Sequence, residues 1–81
     1  MLPDALLDAG EAGCGDLTLL VFQAMKALAP GQTLEVRAYD IAAGMDIPAW
    51  CRSTGHHLVV ADTNVRPQRF VIRKQDLPSA R

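Results

Sequence analysis

The stretch Asp16-Leu17-Thr18-Leu19-Leu20-Val21-Phe22-Gln23-Ala24-Met25-Lys26-Ala27-Leu28-Ala29-Pro30-Gly31 decides the fold. Leu17, Leu20, Val21, Ala24 and Leu28 fall at i, i+3, i+4, i+7 and i+11, the spacing of a stripe along one helix face. Asp16 has the side chain of an N-cap, because a carboxylate there accepts bonds from first-turn N–H groups. Pro30-Gly31 ends the run. The pattern therefore predicts a helix over 16–29. Just before it lies a glycine-rich loop, Gly10-Glu11-Ala12-Gly13-Cys14-Gly15, and before that a short apolar run, 5–9, read as a strand. After it, Thr33-Leu34-Glu35-Val36-Arg37-Ala38-Tyr39 alternates apolar with mostly polar residues, as a half-buried strand does.

Further out, Asp46 can cap a second helix through about Thr54, with Pro48 tolerated in its first turn and Gly55 at its end. Residues 57–61 predict a third strand and 62–67 a turn. Residues 68–74 predict a fourth strand, with Phe70 and Ile72 on one face and Arg69 and Arg73 on the other. The order strand, helix, strand, helix, strand, strand predicts an α+β fold. It is a two-layer α/β sandwich, βαβαββ, whose mixed four-stranded sheet carries both helices on one face. The expectation is one domain over 1–81, with its core at about 5–74 and a flexible tail at 75–81.

Composition narrows the function classes. The 81 residues are 49% hydrophobic and 21% charged, with eight Lys and Arg against nine Asp and Glu. That balance argues against disorder and against a general binder of phosphate backbones, which carries a basic excess. Apolar runs are too short for a membrane span. The first residues, Met1-Leu2-Pro3-Asp4, lack the basic flank and long apolar stretch of a signal peptide. Two cysteines do not make a disulfide framework. A cytoplasmic protein with reduced thiols is expected.

Cys14 is the most informative position. Flanked by Gly13 and Gly15 and followed by Asp16, it stands just before a helix start, where the helix dipole and first-turn N–H groups favour a thiolate. Asp16 opposes that ionisation. The plain alternative is a small loop residue with an incidental thiol. Cys51, in the second helix, is expected to be a buried small hydrophobe; as a resolving thiol it would need Cys14 beside it. His56 and His57 match no zinc spacing and are expected to connect helix to strand. Arg66, Arg69, Arg73 and Lys74 make the last strand basic, which suits a phosphate or an acidic partner, or simply a solvated face. Leu19, Phe22 and Met25 leave the first helix apolar beyond its core stripe. A partner or a second copy is expected to cover the excess. Val59 and Val71 are expected on the sheet face away from the helices, where they could support a homodimer.

One family resembles this pattern. Leu7-Asp8, Cys14 six residues after that Asp, Ala27-Leu28-Ala29-Pro30-Gly31, Leu34-Glu35-Val36, Asp40, Asp46-Ile47-Pro48-Ala49-Trp50-Cys51, Thr54-Gly55-His56 and Phe70-Val71-Ile72-Arg73-Lys74 together resemble the TusA/SirA-type sulfurtransferases over about residues 7–74. The resemblance implies the same sandwich, no metal or organic cofactor, and a cytoplasmic sulfur carrier. The carrier's cysteine, here Cys14, takes sulfane sulfur as a persulfide from a cysteine desulfurase or rhodanese-like donor and relays it to an acceptor protein. The chain departs from the family's Cys-Pro-x-Pro motif. It has Cys14-Gly15-Asp16-Leu17, and Glu11 where the family has a glycine. Gly15 supplies an N–H that a proline lacks but loosens the loop. Leu19, Phe22, Arg69 and Arg73 are the expected partner contacts. Two other classes remain as alternatives: a binding or regulatory module that kept the fold without sulfur transfer, and RNA binding through the basic last strand, which the net charge disfavours.

Overall fold

A computed structural model describes residues 2–75. The chain runs β1 (Ala5–Asp8), α1 (Cys14–Lys26), β2 (Thr33–Ala38), α2 (Ala43–Thr54), β3 (His57–Asp62) and β4 (Gln68–Arg73). The sheet order is β1-β2-β4-β3. β1 and β2 are parallel, as a helical crossover requires. β4 is antiparallel to both β2 and β3. It follows that β1, β2 and β3 all point the same way, and that β4 fills the gap between the second and third. The predicted α+β sandwich with a mixed four-stranded sheet is the observed one. Among the described residues, no helix is long and apolar enough to cross a membrane.

Both helices bury residues four apart. Leu17, Val21 and Met25 of α1, and Ala43, Ile47 and Cys51 of α2, close on Leu34, Val36 and Ala38 of β2 and on Phe70 and Ile72 of β4. Met25, expected outside the stripe, is core. Leu20, Ala24 and Leu28 only pack at its margin. An i, i+4, i+8 row lies closer to straight along a helix than the wider row read from the sequence, and a two-helix layer needs only the narrow one.

Both predicted N-caps move. α1 starts at Cys14 with Gly13 as cap, and Gly13 has no side chain to bond the first turn. Asp16 is the third residue of the helix, where its charge suits the dipole but caps nothing. α2 starts at Ala43, three residues before Asp46. Asp40 makes this turn instead: its Oδ1 accepts the Ala42 N–H at 2.9 Å and its carbonyl accepts the Ala43 N–H at 3.0 Å. Pro48 is therefore inside the helix rather than in its first turn. At the far end Gly55 takes φ 85°, a left-handed cap that suits glycine.

β2 is buried on both faces, not half-buried. On the helix-free face Glu35 is buried, with Arg37 Nε at 2.9 Å from one carboxylate oxygen and Arg69 Nε at 3.3 Å from the other. The Arg37 hydrogen bond is the main reason its carboxyl stays below the usual 4.5; burial works against it, and Arg69 adds to it. A folded-state pKa below the unfolded one gives stability that is present above about 4.5 and lost as pH falls through the lowered value. Thermal melts from pH 7 to pH 3 should therefore show wild type losing more melting temperature on acidification than Glu35→Gln. Parallel curves for the two proteins would refute that role.

The chain beyond β4 is anchored at Gln75. Its N–H donates to His56 Nδ1 at 3.2 Å and its Nε2 to the Thr54 carbonyl at 3.2 Å. At the other terminus, the Asp4 and Thr33 residues bond one another through backbone and side chain. Residues 76–81 of the expected tail lie outside the described residues.

Candidate functional site

The strands β1, β2 and β3 share a direction, so the segments leaving them, 9–13, 39–42 and 63–67, gather at one end of the sheet. Open α/β folds place their sites at such carboxyl ends. The first segment folds by local rules. Asp8 Oδ1 accepts the Gly10 N–H at 3.0 Å, Gly10 has φ 57°, and the Ala12 N–H donates to the Ala9 carbonyl at 3.1 Å. The Ala9 N–H still reaches β2, at the Arg37 carbonyl, 2.8 Å away. The chain then enters α1 directly at Cys14, and the Leu17 N–H closes the first turn on the Gly13 carbonyl.

The second segment comes up against the first. A Cβ at Gly13 would lie 3.2 Å from Asp40 Oδ2, so any side chain there would make the carboxylate give by a few tenths of an ångström. Glu11, Tyr39 and Asp40 line a pocket of about 280 Å³ there. Gly15 is inside α1, and a Cβ at Gly15 meets nothing within 4 Å. Its role as a loosening loop residue is thus corrected: it is helical, with open space where a side chain would go. The third segment joins through Gln68, whose Nε2 donates to the Asp40 carbonyl at 3.2 Å and the Ile41 carbonyl at 3.5 Å.

The expected partner contacts do not form one surface. Leu19 and Phe22 are about half exposed on α1, with Lys26 Nζ 5.3 Å from the Phe22 ring centre. Arg69 and Arg73 lie on the sheet face without helices. There Arg69 is held by Glu35, and Arg73 Nε is buried without a hydrogen-bond partner among the described residues. In register, Arg37 lies opposite Asp8 on one side and Arg69 on the other, and Arg69 lies opposite Asp62; the carboxylate that both guanidiniums pair with is Glu35. A β-bulge between Leu58 and Val60 puts Val60, not Val59, opposite Val71. Val71 is itself buried.

The remaining candidates are structural. Cys51 is buried in α2, and desolvation pushes its thiol up to about 11. His56 stacks at 5.4 Å on Trp50 and accepts the Gln75 N–H; burial is the main cause that lowers its pKa, with Lys74 and His57 adding to it. Lys74 Nζ donates to the Leu28 carbonyl at 2.6 Å. Among the described residues no group of three or more His, Cys, Asp and Glu is placed to hold a metal ion.

Tyr39 and Asp40 were not site candidates from sequence. Asp40 stood out only as part of the resemblance, and Glu11 only as a departure from it. Their convergence depends on how the 9–13 and 39–42 segments pack on one another at the sheet end, which no local pattern encodes. Compared with known proteins, residues 6–74 match the model of a family described as Sulfurtransferase TusA.

Proposed function

The chain belongs to the sulfurtransferase TusA family, and from that premise we propose that it is a cytoplasmic sulfur carrier working through Cys14. The Cys14 thiolate attacks the terminal sulfur of a donor persulfide, R–S–SH. A sulfur–sulfur bond forms to Cys14, the donor's own sulfur–sulfur bond breaks, and the donor leaves as thiolate R–S⁻. The proton stays on the transferred sulfur. An acceptor thiolate then attacks that sulfur, and Cys14 leaves as thiolate. The donor is a cysteine desulfurase or rhodanese-like protein, and the acceptor a second protein.

One observation carries this reading: α1 begins at Cys14 itself, on a glycine cap, and Cys14 is the residue that the resemblance pairs with the family's sulfur-carrying cysteine. The peptide dipole there favours a thiolate or a persulfide anion. Gly13 admits Asp40, Gly15 leaves the first turn uncrowded, and Asp16 sets a carboxylate within that turn.

The Asp16 carboxylate favours a second reading, a binding module without transfer, because a negative charge two residues along from Cys14 opposes its ionisation. Incubation with sodium polysulfide followed by intact mass measurement separates the two. A carrier gains sulfur that dithiothreitol removes. No gain, together with an iodoacetamide rate–pH midpoint near that of a free thiol, about 8.5, would establish the module instead.

A further inference from the structure

Three exposed apolar side chains flank Asp40 in the chain. Ile41 is 77% exposed, Met45 79% and Tyr39 47%. Ile41 follows directly on Asp40, and Met45 comes one helical turn later, with the Gly44 N–H donating to the Ile41 carbonyl. Nothing in the sandwich needs these side chains outside, since Ala43 and Ile47 supply the buried face of this turn. Tyr39 also lines the pocket, and an exposed apolar group of this kind marks a contact surface. Its border is acidic: Glu11 and Asp40 line the pocket, and Asp16 stands in the first turn of α1. In the adjoining 63–67 turn Arg66 turns its Nη1 to the Thr63 and Val65 carbonyls.

We propose that Tyr39, Ile41 and Met45 form the docking surface for a partner protein whose cysteine-bearing face combines an apolar side chain with Lys or Arg. This rests on the reading of Cys14 as the sulfur-carrying residue. The apolar side chain packs on Ile41 and Met45, and the cation reaches Glu11 and Asp40. Charge selects this occupant over the others. A second copy would bring carboxylates against carboxylates about a two-fold axis, and an anionic lipid surface would be repelled.

Peptide probes test this without knowing the partner. Two peptides carry one cysteine as its 2-thiopyridyl disulfide, one flanked by Leu and Arg, the other by Leu and Glu. The Cys14 thiolate attacks the peptide sulfur, a mixed disulfide forms, and pyridine-2-thione leaves with the electron pair and is read by absorbance. Rates are divided by the rate with hydroxyethyl thiopyridyl disulfide, which cancels changes in thiol ionisation. At low salt the Leu/Arg peptide should react at least about tenfold faster. Ile41→Ser/Met45→Ser should slow both peptides, and Glu11→Gln/Asp40→Asn should erase the difference between them. Equal rates on wild type, or wild-type rates on both double variants, would overturn the surface. Polysulfide loading of Ile41→Ser/Met45→Ser should match wild type. Failure of that loading in wild type, with the peptide preference intact, would sink the sulfur-carrier reading and leave the surface standing.

Discussion

Phe70→Ala is expected to destabilise the protein by about 3–5 kcal/mol, the range for truncating a buried phenylalanine. Phe70 is fully buried and heads the buried side chains by volume. It sits on β4 between Val36 of β2 and Ala61 of β3, under both helices. Nothing can collapse easily into the space, because strands fix it from two sides and the helix rows from above. A domain of this size holds only a modest reserve, at the low end of about 5–15 kcal/mol. Most of the reserve would go, and urea melts followed by circular dichroism should show the midpoint falling toward zero denaturant. Phe70→Leu keeps most of the volume and should cost less. A loss under about 1 kcal/mol for Phe70→Ala would mean that the two helices do not share this core.

Cys14→Ser is expected to abolish persulfide loading, because a hydroxyl cannot hold sulfane sulfur, while Cys51→Ala is expected to keep it. The contrast follows from burial. With the Cys51 thiol pushed up to about 11, roughly one molecule in a thousand carries that thiolate at pH 8, and the sulfur is enclosed in α2. Intact mass after polysulfide treatment checks both variants. Loading that persists in Cys14→Ser, or disappears in a folded Cys51→Ala, would overturn the assignment. The second variant loses one small core group, so circular dichroism must accompany it.

Elements declared by local chemistry were legible in the sequence. Gly55 stops α2 where expected, whereas α1 ends at Lys26, three residues short of the expected Ala29 and before Pro30-Gly31 is reached; the alternation in 33–39 marks a strand. Phe70 and Ile72 do share a buried face. What failed to show was decided by contacts between distant segments. Asp40 and Asp46 are equally good caps on paper. The anchoring of the Asp40 and Ile41 carbonyls by Gln68, 28 and 27 residues away, favours the earlier turn. Met25 looked surplus because the stripe was read too wide. Glu35 looked solvated because its two arginine partners lie on β2 itself and on β4. At the site, a helix start near Cys14 was legible, but the loop was read two residues too long, since Cys14 and Gly15 belong to α1; the approach of Asp40 and Tyr39 was not legible, since it depends on contacts between distant segments.

Asp4 stands beside Thr33 at the start of β2, and Gln75 is latched to Thr54 and His56 just before β3. Both attachment points are thus at the pole opposite Cys14. A fluorescent label, an affinity handle or a surface tether joined at either place would leave the pole where α1 begins facing free solution.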